Sequence, residues 1–200
     1  MLKKIQNQIC MQLVFATNNL NKLKEVKTLI PDHIKLLSLE DIGCFEDIPE
    51  TQNTIEGNAI QKATYIKETY GYDCFADDTG LEVNALNGAP GVYSARFAGE
   101  QRNSEDNTNK LLNLLEGNTD RTAQFKTVIA LTINNETHTF TGICEGKITK
   151  TKSGRKGFGY DPVFKPNGYK QTFAEMDLKL KNTISHRGKA ISLLVKYFNL

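Results

Sequence analysis

From residue 12 onward the apolar positions switch repeatedly between two periods. Leu13-Val14-Phe15-Ala16 is a short continuous apolar run of the kind a buried strand shows. Leu23, Val26 and Leu29/Ile30 follow at helical spacing until Pro31-Asp32 stops them. Ile34 to Leu37 predicts a second strand. Ile55, Ala59, Ile60, Ala63 and Ile66 mark one face of a helix that Gly71 closes. Cys74-Phe75-Ala76 leads into Asp77-Asp78-Thr79-Gly80, and Leu81 to Val83 continue as strand. Asn103 to Leu115 predicts a helix with Leu111, Leu112 and Leu115 inward. Gln124 to Ile133 and Thr137 to Thr149 are long β-rich runs joined at Asn134-Asn135, a hairpin signal. Ser185 opens a last helix through Phe198, with Ile191, Leu194 and Val195 on one face. Strands alternating with helices, plus one long hairpin, predict an α/β protein with a mixed sheet. The hairpin and the glycine-rich segment 154–168 predict a second lobe with a cleft between. Residues 1–11 read as an N-terminal extension, and 12–200 as a single domain.

Composition removes several classes of function. Two hundred residues fit one domain, and 25 Lys+Arg against 23 Asp+Glu leave +2. So slight a charge gives no broad field for polyanions, so nucleic acid is not an expected partner. No apolar run approaches the ~18 residues of a spanning helix, and MLKKIQNQICMQ lacks the apolar core of a signal peptide. The expected place is the cytoplasm, with no membrane partner. The four cysteines form no CxxC pair and read as scattered buried thiols. The three histidines show no HExxH spacing, and no GxSxG elbow occurs. Oxygen-ligand chemistry remains.

Three segments concentrate polar residues. Thr17-Asn18-Asn19-Leu20-Asn21-Lys22 follows a buried strand and opens a helix, where free backbone N–H groups and the dipole favour anions. It lacks the glycines of a Walker loop, and capping by Asn18 or Asn19 is the alternative reading. Asp77-Asp78 stands at the end of a strand, where adjacent carboxylates point to opposite faces: one structural, one toward the cleft. Paired acids beside an apolar run call for a cation or hydrogen bonds, and Mg²⁺, which takes one or two carboxylates plus phosphates, is the natural candidate. An exposed Asx turn is the alternative there. Glu50 adds an acid ahead of the next helix, and Glu56 lies on its first turn. The third segment runs from Gly154 through Phe158-Gly159-Tyr160-Asp161 to Lys181 and Ser185-His186-Arg187-Gly188. Its glycines let an aromatic lie against a flat ligand, a contact worth ~1–3 kcal/mol for a base. GFGYDP is not a dinucleotide fingerprint, because proline takes the last position. Ser185 as N-cap aims His186 and Arg187 beyond the helix start, although His186 also reads as an ordinary capped surface residue.

A phosphate cradle, a paired-acid site and an aromatic-plus-arginine pocket belong together in a nucleoside triphosphate hydrolase. The strings LVFATNNLNKLKEV (13–26), FADDTGLEVNALNGAPGVYSARFAG (75–99), GFGYDPVF (157–164) and SHRGKA (185–190) resemble the inosine triphosphate pyrophosphatase family over nearly the whole chain after Met11. The resemblance implies an elongated twisted mixed sheet flanked by helices in two lobes with a central cleft. It also implies a homodimer, Mg²⁺ dependence, and hydrolysis of ITP, dITP and XTP to monophosphate and pyrophosphate. By position, Thr17, Asn18, Asn19, Leu20, Asn21 and Lys22 would hold the triphosphate with help from Lys62. Glu50 and Asp78 would bind Mg²⁺, and Asp78 would accept the proton of water. Thr79 matches a substrate contact more often serine, Phe158, Gly159, Tyr160 and Asp161 would surround the nucleoside, and Lys181, His186 and Arg187 the base. One departure is Thr54-Ile55-Glu56-Gly57-Asn58-Ala59 where relatives read TFxENA, which shifts the acid by one position.

The expected reaction is attack of water at the α-phosphorus, with Asp78 or its neighbour Asp77 orienting and deprotonating that water. A donor such as Arg187 at the 6-oxygen of the base would favour inosine and xanthosine over adenine. A Maf-like pyrophosphatase of other base preference and a non-catalytic nucleotide-binding module are the competing readings.

Overall fold

The computed structural model describes residues 11–199. Of the expected extension, only Met11 is described, and it belongs to the first strand. In chain order the elements are β1 (Met11–Phe15), α1 (Leu20–Lys27), β2 (Ile34–Leu37), α2 (Ile55–Tyr70), β3 (Cys74–Val83), β4 (Pro90–Gly91), α3 (Ser104–Leu114), β5 (Thr122–Ile133), β6 (Glu136–Ile148), β7 (Phe164–Pro166), α4 (Leu178–Ile184) and α5 (His186–Phe198). One mixed sheet runs β2-β1-β3-β5-β6-β7, with β4 paired to β3. The β1 strand is parallel to β2 and β3, and every other pairing is antiparallel.

Local chemistry accounts for the boundaries. The Thr54 hydroxyl accepts from the Gly57 N–H at the start of α2, and Gly71 ends that helix in the left-handed region at φ 78°. Asn134 and Asn135 both take positive φ, 50° and 64°, as a two-residue hairpin turn requires. Asp77-Asp78, expected at the end of a strand, lies with Thr79-Gly80 in the middle of one ten-residue strand. The sequence pattern missed α4, whose seven residues show no clear apolar stripe; Asp177 caps it by accepting from the Leu180 N–H. Strands β4 and β7 were also too short to leave a period.

Two cores sandwich the first half of the sheet. Ala59, Ala63 and Ile66 of α2 pack on Val14, Cys74 and Ala76 from one side. Val26 of α1 and Ala190, Ile191 and Leu194 of α5 pack on Phe15, Phe75 and Ile129 from the other. A third core, with Leu111, Phe125, Phe164 and Phe173, fills the second lobe. The long strands β3 and β5 pass from one lobe to the other, so residues at their midpoints face the space between. Cys44, Cys74 and Cys144 are free and buried as expected, while Cys10 lies outside the described residues. Among the described residues no helix is long and apolar enough to cross a membrane.

Candidate active site

A cavity of about 330 Å³ opens between the lobes. Its lining brings together Thr17, Asn18, Asn19, Lys22, Glu50, Lys62, Asp78, Thr79, Phe158, Gly159, Tyr160, Asp161, Lys181, His186 and Arg187, from seven separate stretches of chain. Three residues of the expected set do not line it. Leu20 is 79% exposed and Asn21 points to solvent, because the first turn of α1 rotates them outward. Asp77 is buried beneath the cavity floor.

Strand parity explains the split of the acidic pair. Phe75 and Asp77 face α1 and α5, whereas Ala76 and Asp78 face α2. Asp77 accepts from Lys22 Nζ at 2.9 Å and from Arg187 Nε at 3.0 Å. Burial alone would raise its pKa, but the charges of Lys22, Arg187 and Lys62 hold it far below the usual carboxylate range. Asp77 is therefore a buried counter-ion, which corrects its expected role in deprotonating water. Asp78 lies 3.7 Å from Lys62 Nζ and accepts from the Asn58 side-chain amide at 3.4 Å.

At this acid end Lys62 Nζ also donates to Glu50 Oε1 at 2.6 Å and to the Asp77 carbonyl at 2.9 Å. Burial, with Glu50 and Asp77 as like-charged neighbours, pushes Asp78 up despite Lys62 and Lys22. Ion pairs at the cavity join Lys22, Lys62, Lys181 and Arg187 to Glu25, Glu50, Asp77, Asp78 and Asp161, and Arg96 and Arg102 also line it. Glu50 and Asp78 share the single ammonium of Lys62, so a divalent cation suits that end. Among the described residues no three His, Cys, Asp or Glu side chains converge as a metal cage. Two carboxylates fit the mode of Mg²⁺, which completes its shell with water and phosphate oxygens.

At the start of α1, Asn19 is the cap: its Oδ1 accepts from the N–H groups of Asn21 at 3.0 Å and Lys22 at 3.2 Å. Capping and cavity lining coexist, since Thr17, Asn18 and Lys22 still face the cavity.

The other end is aromatic. Phe158 is half-buried, with Lys181 Nζ 5.2 Å and Arg187 Cζ 5.7 Å from its ring centre. Asp161 Oδ2 accepts from the Phe158 N–H at 2.8 Å and from Lys181 Nζ at 2.6 Å, which fixes the loop. Gly157, at φ 74°, is required there: a Cβ would lie 2.0 Å from that same oxygen. Tyr160 is a core residue whose hydroxyl donates to the Ser94 carbonyl at 2.9 Å, so it buttresses the loop from below. His186 stacks on Phe125, ring centres 4.4 Å apart. Burial and the nearby Arg187 and Lys181 charges push its pKa well below the ordinary value, so it is neutral at pH 7. Its buried Nδ1 has no hydrogen-bond partner among the described residues. Gly142 lets α5 approach this closely, since a Cβ there would lie 2.0 Å from the His186 carbonyl oxygen.

Arg187 is less free than expected. Its Nε, Nη1 and Nη2 donate to Asp77 (3.0 Å), Glu25 (2.5 Å) and Thr79 Oγ1 (3.1 Å). A guanidinium carries five N–H groups, so two remain for anything above it. Sequence reasoning missed Glu25, Asn58 and Phe125. Glu25 lies three residues after Lys22 on the same helix face, and Asn58 four before Lys62, so both signals were present in the spacing. Glu56 is exposed and does not reach the cavity.

Fold and cavity together define an α/β protein with one inter-lobe site, charged at one end for a polyanion and its cation, aromatic at the other for a flat ring. Residues 13–197 match the model of the Ham1 family, and the chain belongs to that family. A dITP/XTP pyrophosphatase of Flavobacterium johnsoniae is 63% identical over 185 residues, spanning 92% of this chain and 96% of its own length. One of the same name from Flavobacterium psychrophilum is 64% identical over 188 residues, spanning 94% and 99%. The solved structure of the Staphylococcus aureus Ham1 protein is 41% identical and superposes with a TM-score of 0.86, covering 94% of this chain and 98% of that one.

Proposed function

We propose that this protein hydrolyses noncanonical purine nucleoside triphosphates (ITP, dITP and XTP) to the monophosphate and pyrophosphate, cleansing the cytoplasmic nucleotide pool. One observation carries the reading: a single cavity holds Lys22, Lys62, Glu50 and Asp78 at one end and Phe158, Lys181 and His186 at the other. The triphosphate lies along Thr17, Asn18, Asn19 and Lys22, and the base rests on Phe158. Water attacks the α-phosphorus, the bond to the bridging oxygen breaks, and pyrophosphate leaves with the electron pair. Asp78 orients that water and takes its proton, a task for which its raised pKa suits it. Lys22 and Lys62 offset charge on the tail and the leaving group. Glu50 and Asp78 would hold Mg²⁺, which when bound neutralises phosphate charge.

Selectivity rests on the 6-position. An oxygen there accepts from the spare N–H groups of Arg187 or from Lys181, whereas the amino group of adenine opposes a donor with a donor. Such an unsatisfied buried group costs ~1–3 kcal/mol. Assembly as a homodimer completes the reading and is open to sedimentation. The deciding experiment is pyrophosphate release from ITP, XTP, dITP, GTP and ATP with and without Mg²⁺. Metal-dependent release from ITP and XTP, with ATP at least about tenfold slower in kcat/KM, is expected. Equal rates with ATP overturn the base assignment, and ITP binding without turnover would mark a non-catalytic module. Preference for other bases favours a Maf-like pyrophosphatase.

A further inference from the structure

Glu50 is carried by a strap between the short helical turn Glu40–Ile42 and α2, and the strap has an unusual support. Between Phe45 and Asn53 it makes no backbone-to-backbone hydrogen bond among the described residues. Side chains of α2 hold it instead, in descending order along the helix as the strap advances. Glu46 Oε1 accepts from both tyrosine hydroxyls, Tyr70 at 2.5 Å and Tyr65 at 2.9 Å. Glu50 meets Lys62 at 2.6 Å. Gln61 exchanges two hydrogen bonds with Thr51, both 2.9 Å, and Asn58 accepts from the Gln52 N–H at 2.9 Å. Asn58, Gln61, Lys62 and Tyr65 recur at three- and four-residue steps, so they form one stripe facing the strap, and Tyr70 reaches Glu46 from the last turn of the helix.

The rungs differ in what they are free to do. Lys62 and Asn58 also face Asp78, so they belong to the site itself. The Glu46 rung touches nothing in the cavity, yet it pins the strap four residues before Glu50. The tyrosine hydroxyls and local N–H groups hold the Glu46 carboxyl down to about 2, so the rung is ionic throughout the neutral range.

We infer that Glu46 is a positioning residue: held by Tyr65 and Tyr70, it fixes where the strap presents Glu50 to the divalent cation. This rests on the reading of Glu50 as a cation ligand. Freed of the rung, Glu50 still pairs with Lys62, but its carboxylate is no longer preorganised for a metal.

The test is Mn²⁺ titration of the full-length protein, free Mn²⁺ being read by electron paramagnetic resonance, alongside the Mg²⁺ dependence of ITP hydrolysis. The Tyr65→Phe/Tyr70→Phe double variant keeps both rings and loses both donors. Its Mn²⁺ Kd and Mg²⁺ activation constant are expected to rise about fivefold, with kcat at saturating Mg²⁺ little changed. Glu46→Ala follows it, whereas Glu46→Gln, which retains the accepting oxygen, stays near the parent. An unchanged Mn²⁺ Kd in the double variant and in Glu46→Ala overturns the inference, as does a uniform loss of kcat at every Mg²⁺ concentration. Glu50→Gln separates the two levels: if it fails to weaken Mn²⁺ binding, the ligand reading falls and takes the inference with it. If it weakens binding while the Glu46 and tyrosine variants do not, only the inference falls.

Discussion

Asp78 and Asp161 are both buried carboxylates facing the same cavity, but their surroundings differ. Asp161 accepts two short bonds, from Lys181 at 2.6 Å and the Phe158 N–H at 2.8 Å. Asp78 has an amide at 3.4 Å and an ammonium at 3.7 Å, and two further carboxylates nearby. At the aromatic end Glu25, Asp77 and Asp161 are all paired within the protein, with Lys181 and Arg187, while the His186 Nδ1 has no partner among the described residues. At the acid end Glu50 and Asp78 share the one ammonium of Lys62, so both carboxylates keep capacity for a ligand. The aromatic end is thus a finished part of the core, to which the proposed function adds the holding of a base, while the acid end has carboxylates to spare for a ligand. Substitutions at the first should show in stability, and at the second in turnover.

Arg187→Ala is the strongest test of that contrast. It strands Asp77 and Glu25, and a loss of about 3–5 kcal/mol in urea unfolding is expected. A variant as stable as the parent breaks the comparison. The same result bears on base selectivity: a changed ITP/ATP ratio in this variant reports the collapse of the floor as much as a lost contact to the base. Asp78→Asn comes next, with kcat lowered at least about a hundredfold and thermal stability kept. Stability survives because the charged form of Asp78 is already disfavoured by burial and by its acidic neighbours. Near-normal turnover removes Asp78 from the mechanism. Phe158→Ala, which removes a half-buried ring, should raise the KM for ITP about tenfold with a small effect on kcat. An equal fall in kcat would place the ring nearer the reacting phosphate than the base.

The smallest effect sharpens the comparison through pH. Burial alone would raise Glu25, but Arg187 and Lys181 win and its carboxyl lies below the usual range. A depressed folded pKa gives stability that is full above the unfolded value, about 4.3, and is lost as pH falls through the folded one. The stability gap between the parent and Glu25→Gln, on the order of 1 kcal/mol, should hold from pH 7 to about 5 and then close. Urea midpoints along that series measure it, and a gap that widens on acidification reverses the assignment.

Much of this was local enough to read in the chain. Apolar periods placed β1, β2, α2, α3, the hairpin and α5, and caps such as Thr54, Gly71, Asn103 and Ser185 set their ends, because a helix terminus or a two-residue turn is satisfied by residues next to it. The period of two along β3 also determined that Asp77 and Asp78 part company. Which of them meets the cavity was decided by the order β1-β3-β5 and by the helices on each face, which no window of sequence contains. Glu25 makes the point most sharply. In the sequence it is one more charge on a helix, while in the fold it pairs with Lys181 and Arg187, 156 and 162 positions away. Short-range preferences are written into neighbouring residues, whereas the balance of buried charge exists only once distant segments have closed around it.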